Sequence, residues 1–250
     1  MTKEKSMSKR QLMREERRRK EQRQRIFIIA GVVFVALILV IILAGPSIRN
    51  SLTPVGEFTQ VAPVSYPDMD GTALGKADAP VLVEVYEDFQ CPACKIYTEQ
   101  IEPQVIQAFV VPGKVRYVFH QYPFLDDRQS VKESDQAANA SLCAADQDRF
   151  WDYHAILYAN SEEFQGAFTD KRLEAYAQSV GLDMDAFKQC YRDRRFKDQI
   201  TEQQNQGSQA GVSGTPTVFV NGQRAGQPGY IASFEEISAL INSALQASGG

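Results

Sequence analysis

The hydrophobic pattern separates one long apolar run near the N-terminus from a body of shorter strand and helix segments. Residues 26–44 carry no charged or polar side chain, whereas a helix on a soluble core normally keeps a polar face. At about 1.5 Å per residue the run spans roughly 28 Å, close to the thickness of the hydrocarbon layer of a bilayer. We therefore expect one uncleaved transmembrane helix. A cleaved signal peptide is the alternative, with residues 44–47 as a weak cleavage site.

The first part of the body has the pattern of a strand, a helix and a second strand. Residues 80–87 are apolar and β-branched, and residues 96–109 carry apolar side chains at helical spacing. Pro103 is expected to kink or interrupt this helix. Residues 114–120 again have the composition of a strand. A βαβ unit of this length predicts two parallel strands with a right-handed crossover.

The rest of the body predicts helices followed by a hairpin. From about residue 128 to residue 210 no convincing strand is present, and apolar residues recur at helical spacing. Helices are expected near residues 129–145, 148–160, 169–179, 183–193 and 195–209. Residues 214–220 then predict a strand, Asn221-Gly222 a tight hairpin turn, and Ser233 the cap of a final amphipathic helix.

Charge divides the chain in the same place as hydrophobicity. Residues 1–25 hold 11 Lys/Arg and 4 Asp/Glu, whereas the whole chain of 250 residues carries a net charge of −4. A basic segment before an apolar run stays on the cytoplasmic side of a membrane, which disfavours a nucleic-acid-binding arm and places the body outside. The expected parts are a basic cytoplasmic tail (1–25), a transmembrane helix (26–44), a proline-containing linker (45–69) and a globular domain (70–248).

Two of the four cysteines lie where the first strand of the body turns into its helix. Cys91 and Cys94 are separated by two residues, and Pro92 suits the first helical turn. Unpaired N–H groups and the positive end of the helix dipole favour a thiolate there, and the thiolate is the nucleophile of disulfide exchange. The alternative is half of a zinc site, which needs two more ligands; the chain has no second Cys-x-x-Cys and only two histidines. We expect a redox-active dithiol and no metal.

The order of elements and three motifs resemble the DsbA-like thiol–disulfide oxidoreductases, in their membrane-anchored bacterial branch. The motifs are residues 88–94, 144–154 and 211–217, and the resemblance extends over about residues 70–248. It implies an α/β thioredoxin-like fold with an inserted all-helical subdomain at about residues 128–210, preceded by the N-terminal transmembrane helix.

The resemblance also assigns roles to individual residues. It implies that Cys91 forms the mixed disulfide with a substrate and that Cys94 resolves it. Pro216 corresponds to a cis-proline opposite the dithiol, and Thr215 to the residue that tunes Cys91 and presents its backbone to an extended peptide. An ordinary trans bond at the start of a strand is the alternative for Thr215-Pro216.

The chain departs from the family at two places near the dithiol. Many thioredoxin-like proteins place a buried acid six residues before the first cysteine, where this chain has Val85. Glu84 and Glu87 flank that position and are expected on the opposite strand face. Glu84 is the nearest candidate for a proton relay, and a solvated charge on the strand face is the alternative. Ala93 gives the thiolate no side-chain partner, so we expect a lowered pKa for Cys91 but a weaker oxidant than variants with His at that position.

The remaining cysteines, Cys143 and Cys190, lie on two predicted helices of the insertion. Disulfides persist outside the cell, so we expect these two to form a structural bond that contributes at most about 4 kcal/mol. The alternative is a pair of free buried cysteines.

The resemblance implies a membrane-anchored oxidase that passes the Cys91–Cys94 disulfide to exported proteins and is re-oxidised by a quinone-linked membrane partner. No cofactor and no nucleic acid are expected. Two alternatives stay open: a reductase or isomerase with the same chemistry, and a non-catalytic thioredoxin-like binding module. Substrates and oligomeric state do not follow from the sequence.

Overall fold

The computed structural model describes residues 18–20, 23, 25, 27–38, 40, 55–128, 132–161 and 166–248. The chain divides into two compact units, residues 1–54 and residues 55–250. In the first unit, residues 27–38 and 40 of the predicted transmembrane segment are helical and exposed, and the rest of that segment lies outside the described residues. Among the described residues, no helix combines the length and the apolar character that crossing a bilayer requires.

The second unit is built on a five-stranded mixed sheet. Its strands are β1 (Ala73–Leu74), β2 (Val81–Glu87), β3 (Val115–Gln121), β4 (Thr217–Val220) and β5 (Gln223–Arg224), in the spatial order β1-β3-β2-β4-β5. β2 and β3 run parallel, as the βαβ pattern predicts, and the other neighbouring pairs are antiparallel. The short strand β1 was not predicted.

The helices match the predicted segments closely. They are α1 (Pro92–Gln100), α2 (Glu102–Val105), a π-helix (Ile106–Val110), a 3-10 helix (Leu125–Arg128), α3 (Glu133–Ala145), α4 (Phe150–Ala159), α5 (Asp170–Ser179), α6 (Met184–Arg192), α7 (Lys197–Gln209) and α8 (Phe234–Ser248). The predicted interruption at Pro103 is confirmed, because α1 ends at Gln100 and α2 starts with Pro103 in its first turn. Helices α3 to α7 form the predicted helical insertion between β3 and β4.

The predicted hairpin turn at Asn221-Gly222 and the predicted helix cap at Ser233 are both confirmed. Asn221 and Gly222 have φ of 46° and 78°, the left-handed backbone that a two-residue hairpin between β4 and β5 requires. Ser233 Oγ accepts the N–H of Glu236 at 3.2 Å, and the Glu236 carboxylate accepts the N–H of Ser233 at 2.8 Å. This reciprocal pair is a capping box at the start of α8.

One continuous core joins the sheet to the helical insertion. Val81, Val83 and Val85 on one face of β2 are completely buried, and the same core contains Phe150 and Tyr153 of α4. Residues 55–69, in the predicted linker, also pack against this core through four side chains: Phe58, Val61, Val64 and Tyr66. Because side chains of a strand alternate, the core-facing row of β2 continues from Val85 to Glu87.

Candidate active site

Cys91 occupies the position directly before α1. Its backbone is extended (φ −76°, ψ 118°), Pro92 follows in the first turn, and the Cys91 carbonyl accepts the N–H of Lys95 at 3.1 Å. The Cys91 N–H is bonded to the carbonyl of Asp88 at 2.9 Å, which fixes the turn from β2 into the helix. Cys91 is 6% exposed and Cys94 is 0% exposed, and both are free thiols. Of the two residues, only Cys91 has any solvent exposure.

The two thiols have opposite electrostatic environments. A hydrogen bond with the Cys94 side chain, a contact with Thr215, and the backbone N–H groups of Cys94 and Ala93 lower the pKa of Cys91 to about 6, against the opposing effect of burial. Burial raises the pKa of Cys94 well above its usual value. Near neutral pH, Cys91 is therefore a thiolate and Cys94 a thiol, the division of roles that a nucleophile and a buried leaving group need.

Thr215 and Pro216 lie against the dithiol. The peptide bond between them is cis, and the Thr215 carbonyl oxygen is 3.3 Å from Cys91 Sγ. The Thr215 hydroxyl is buried and has no hydrogen-bond partner, so it is available as a donor to the ionised sulfur. The structure thus brings together the four residues of the predicted catalytic set, which come from two distant segments of the chain.

Arg224 braces the segment that carries Thr215 and Pro216. Its guanidinium donates to Thr217 Oγ1 at 3.2 Å and to the Gly211 carbonyl at 2.6 Å, while Thr217 Oγ1 donates to the Gly214 carbonyl at 2.8 Å. Sequence reasoning missed this role, because the only local signal is a charged residue just after the hairpin turn.

The expectation that Glu87 lies on the strand face opposite Val85 was wrong, whereas Glu84 lies on that opposite face as expected. Glu84 bonds His120 at 3.0 Å, and this hydrogen bond lowers the pKa of Glu84. Glu87 lies on the same face as Val85, is 0% exposed, and accepts hydrogen bonds from Tyr158 (2.8 Å) and Thr98 (3.4 Å). The period of two along a strand already requires this, since positions 85 and 87 share a face. Burial raises the pKa of Glu87 well above its usual value, and the charge of Glu87 in turn raises the pKa of Cys94.

A second acid, Glu102, and His154 join Glu87 in the core beneath the dithiol. One oxygen of each carboxyl and one ring nitrogen of His154 lie within 4.8 Å of one another. Tyr117 donates to Glu102 Oε1 at 3.0 Å, and burial lowers the pKa of His154 to about 3, so its ring is neutral. His154 lies in the core and is 2% exposed.

A buried polar network connects the dithiol turn to the helical insertion. Asp88 accepts the N–H groups of Gln90 (2.9 Å) and Leu125 (3.1 Å), and burial raises the pKa of Asp88 to about 7. Ser134 of α3 donates to the Gln90 side chain at 2.9 Å. Gln90, the residue before Cys91, is thus held by Asp88 and by the insertion.

Cys143 of α3 and Cys190 of α6 form a disulfide, with their Cα atoms 5.8 Å apart. Both belong to the core of the insertion. The bond ties together two helices that are far apart in the sequence, while Cys91 and Cys94 stay free.

Comparison with known proteins places the chain in a family. The sequence model of the family described as Thioredoxin matches residues 68–243. The Na(+)/H(+) antiporter NhaA 3 of Salinispora tropica is 38% identical over 178 residues, which are 71% of this chain and 25% of that protein. This chain therefore spans about a quarter of the length of the first antiporter relatives that it matches.

Two other similar proteins are matched over most of their own length. The probable disulfide bond formation protein D of Bacillus cereus is 29% identical over 158 residues, which are 61% of this chain and 71% of that protein. The crystal structure of oxidised BdbD from Bacillus subtilis has a TM-score of 0.62 and 26% sequence identity, and the match covers 75% of this chain and 100% of that one. Since the Thioredoxin family model matches well over half of the chain, the protein belongs to the thioredoxin family, and it is a DsbA-like member of it.

Proposed function

We propose that the protein is a thiol–disulfide oxidoreductase that introduces disulfides into exported proteins. The observation that carries this proposal is the contrast between the two thiols: Cys91, 6% exposed, has a pKa lowered to about 6, and Cys94, 0% exposed, has a raised pKa. The relatives named disulfide bond formation protein D support the same direction of reaction. A non-catalytic binding module has no need for such a contrast.

The reaction runs through a mixed disulfide. A substrate thiolate attacks Cys91 Sγ of the oxidised protein, the Cys91–Cys94 bond breaks, and Cys94 leaves as a thiolate that takes up a proton. A second substrate thiolate then attacks the substrate sulfur of the mixed disulfide and releases Cys91 as a thiolate. Two electrons pass from the substrate to the enzyme, and a quinone-linked membrane partner that accepts them completes the cycle.

The low pKa of Cys91 favours oxidation of the substrate. A stable thiolate is a good leaving group in the second step, and it stabilises the reduced enzyme relative to the oxidised one. Glu87 is the acid placed to protonate Cys94, because it is buried on the core-facing row of β2 and interacts electrostatically with that thiol. Reduction or isomerisation of disulfides would use the same steps in the opposite direction.

The proposal includes a location. Residues 26–44 anchor the protein in the cell membrane by a single span, with residues 1–25 in the cytoplasm and the domain outside. The apolar run and its basic flank support this orientation. The Cys143–Cys190 disulfide supports an oxidising compartment for the domain.

Substrate trapping tests the proposed function. Cys94→Ser removes the resolving thiol and leaves Cys91 as a thiolate, which can attack a disulfide of an exported protein by the reverse of the second step. The resulting mixed disulfides should accumulate on non-reducing gels and disappear with a reductant. A Cys91→Ser/Cys94→Ser double variant is the matched control and should trap nothing. Equal trapping by both variants, or none by Cys94→Ser in cells that export cysteine-containing proteins, would refute the proposal.

A further inference from the structure

Glu102 is a buried carboxyl group that the mechanism above does not use. It opens α2 directly before Pro103, is 3% exposed, and accepts a hydrogen bond from Tyr117 at 3.0 Å. One of its oxygens lies within 4.8 Å of a Glu87 oxygen. Two carboxyl groups so close together in a core cannot both carry a negative charge without a large cost in free energy.

Within the part of the chain that the structure describes, the two carboxyls have hydroxyl groups as hydrogen-bond donors and no paired cation. Among the described residues, the donors to Glu87 are Tyr158 and Thr98, and the donor to Glu102 is Tyr117. His154 is neutral, and its Nε2 has no hydrogen-bond partner. Protons on the carboxyls themselves are therefore the simplest source of charge balance in this part of the core.

We propose that Glu102 is a positioning residue that holds a proton beside Glu87, so that the two carboxyls share the single negative charge left when Glu87 protonates Cys94. This inference rests on the proposed function. The balance of the step is simple: the Cys94 thiolate becomes a thiol, and the neutral pair of carboxyls becomes a pair with one proton and one negative charge. No metal ion or further reactant is needed.

The groups that face the pair are consistent with this assignment. Tyr97 and Tyr117 stay neutral because burial raises the pKa of each well above its usual value. Burial likewise raises the pKa of Tyr158 and that of Cys94. Asp88, also buried, has a pKa raised by burial to about 7, and Cys91, with a pKa lowered to about 6, titrates only in the reduced protein.

The pH dependence follows from the titration of Glu102. Burial raises the pKa of Glu102 to about 8, against the opposing hydrogen bond from Tyr117. Above that pH, Glu102 is ionised, and its negative charge makes Glu87 hold its own proton more tightly. The pKa of Glu87 is raised first by burial and then by the charge of Glu102. The attack on the oxidised enzyme should therefore slow as the pH rises through about 8.

The test measures the rate at which a small monothiol attacks the oxidised full-length protein, divided by the thiolate fraction of the monothiol, as a function of pH. The wild type should show a fall with a midpoint near pH 8. Glu102→Gln keeps an acceptor for Tyr117 and a donor for Glu87 but cannot titrate. Its rate of attack at neutral pH should match that of the wild type, and the decrease of this rate at higher pH should be absent. Tyr117→Phe removes a hydrogen bond that lowers the pKa of Glu102, so the fall should move to higher pH.

Glu84→Gln is the matched control, since Glu84 lies on the other face of β2 and bonds His120. It should reproduce the wild-type profile. An unchanged profile in Glu102→Gln would overturn the role of Glu102 while leaving the proposed function intact. A wild type that does not react with thiols at any pH would overturn both. Stoichiometric divalent metal in the purified wild type that is lost in Glu102→Gln would also overturn the inference, because the ion would then balance the charge.

Discussion

Replacing Thr215 by valine tests how the site stabilises the Cys91 thiolate. Valine keeps the shape and the carbonyl that lies 3.3 Å from the sulfur, and removes only the unpartnered hydroxyl. A hydrogen bond to a charged group contributes about 1.5–3 kcal/mol, and about 1.4 kcal/mol corresponds to one pKa unit. Part of that contribution is recovered by the remaining backbone donors, so we expect the pKa of Cys91 to rise by about one unit from its value of about 6.

The change is measurable at neutral pH. A rise of one unit lowers the ionised fraction of Cys91 at pH 7 from about 90% to about 50%. The ultraviolet absorbance of the thiolate, recorded against pH with the Cys91→Ser variant as blank, gives the pKa directly. Thr201→Val, on the exposed side of α7, is the control and should leave the pKa unchanged. A Thr215→Val variant with the wild-type pKa would refute the assignment of the hydroxyl as a donor.

Three further predictions concern stability and the loop that carries Pro216. Cys143→Ser/Cys190→Ser should lower the free energy of unfolding by about 2–4 kcal/mol in urea titrations, without changing the pKa of Cys91. Arg224→Met removes the donors to Thr217 and Gly211, so it should lower the free energy of unfolding by about 1 kcal/mol and slow substrate oxidation. Equal oxidation rates in the variant and the wild type would show that Arg224 does not brace the loop. Because the pKa of Cys91 is lowered to about 6 in the folded reduced protein, ionisation of Cys91 should add about 2 kcal/mol to its free energy of unfolding between pH 6 and pH 8. This contribution is lost as the pH falls through 6, and the oxidised protein, which has no Cys91 thiol, should not show it in the same urea titrations.

Local patterns were enough to predict most of the framework. The parallel β2–β3 pair, the helical insertion and the hairpin could be predicted because each depends on a pattern within one segment. These patterns are the apolar run before Cys91, the helical spacing after it and the Asn221-Gly222 turn. Strand β1 could not be, because two residues are too few to show a period of two.

The polar interior of the site was harder to predict. Glu102 and His154 meet Glu87 only after three separate elements have packed, and no spacing in the sequence records that contact. Glu87 itself was predictable, since the alternation from Val83 through Val85 points it into the core. It was placed on the wrong face because a charged residue in a strand is usually exposed.

The reduction potential of the Cys91–Cys94 couple, measured by equilibration with glutathione, tests most directly whether the stabilised Cys91 thiolate makes this protein an oxidant. The pKa of about 6 predicts a potential between those of thioredoxin, about −270 mV, and DsbA, about −120 mV. A potential at or below about −270 mV would contradict the proposed direction of electron flow.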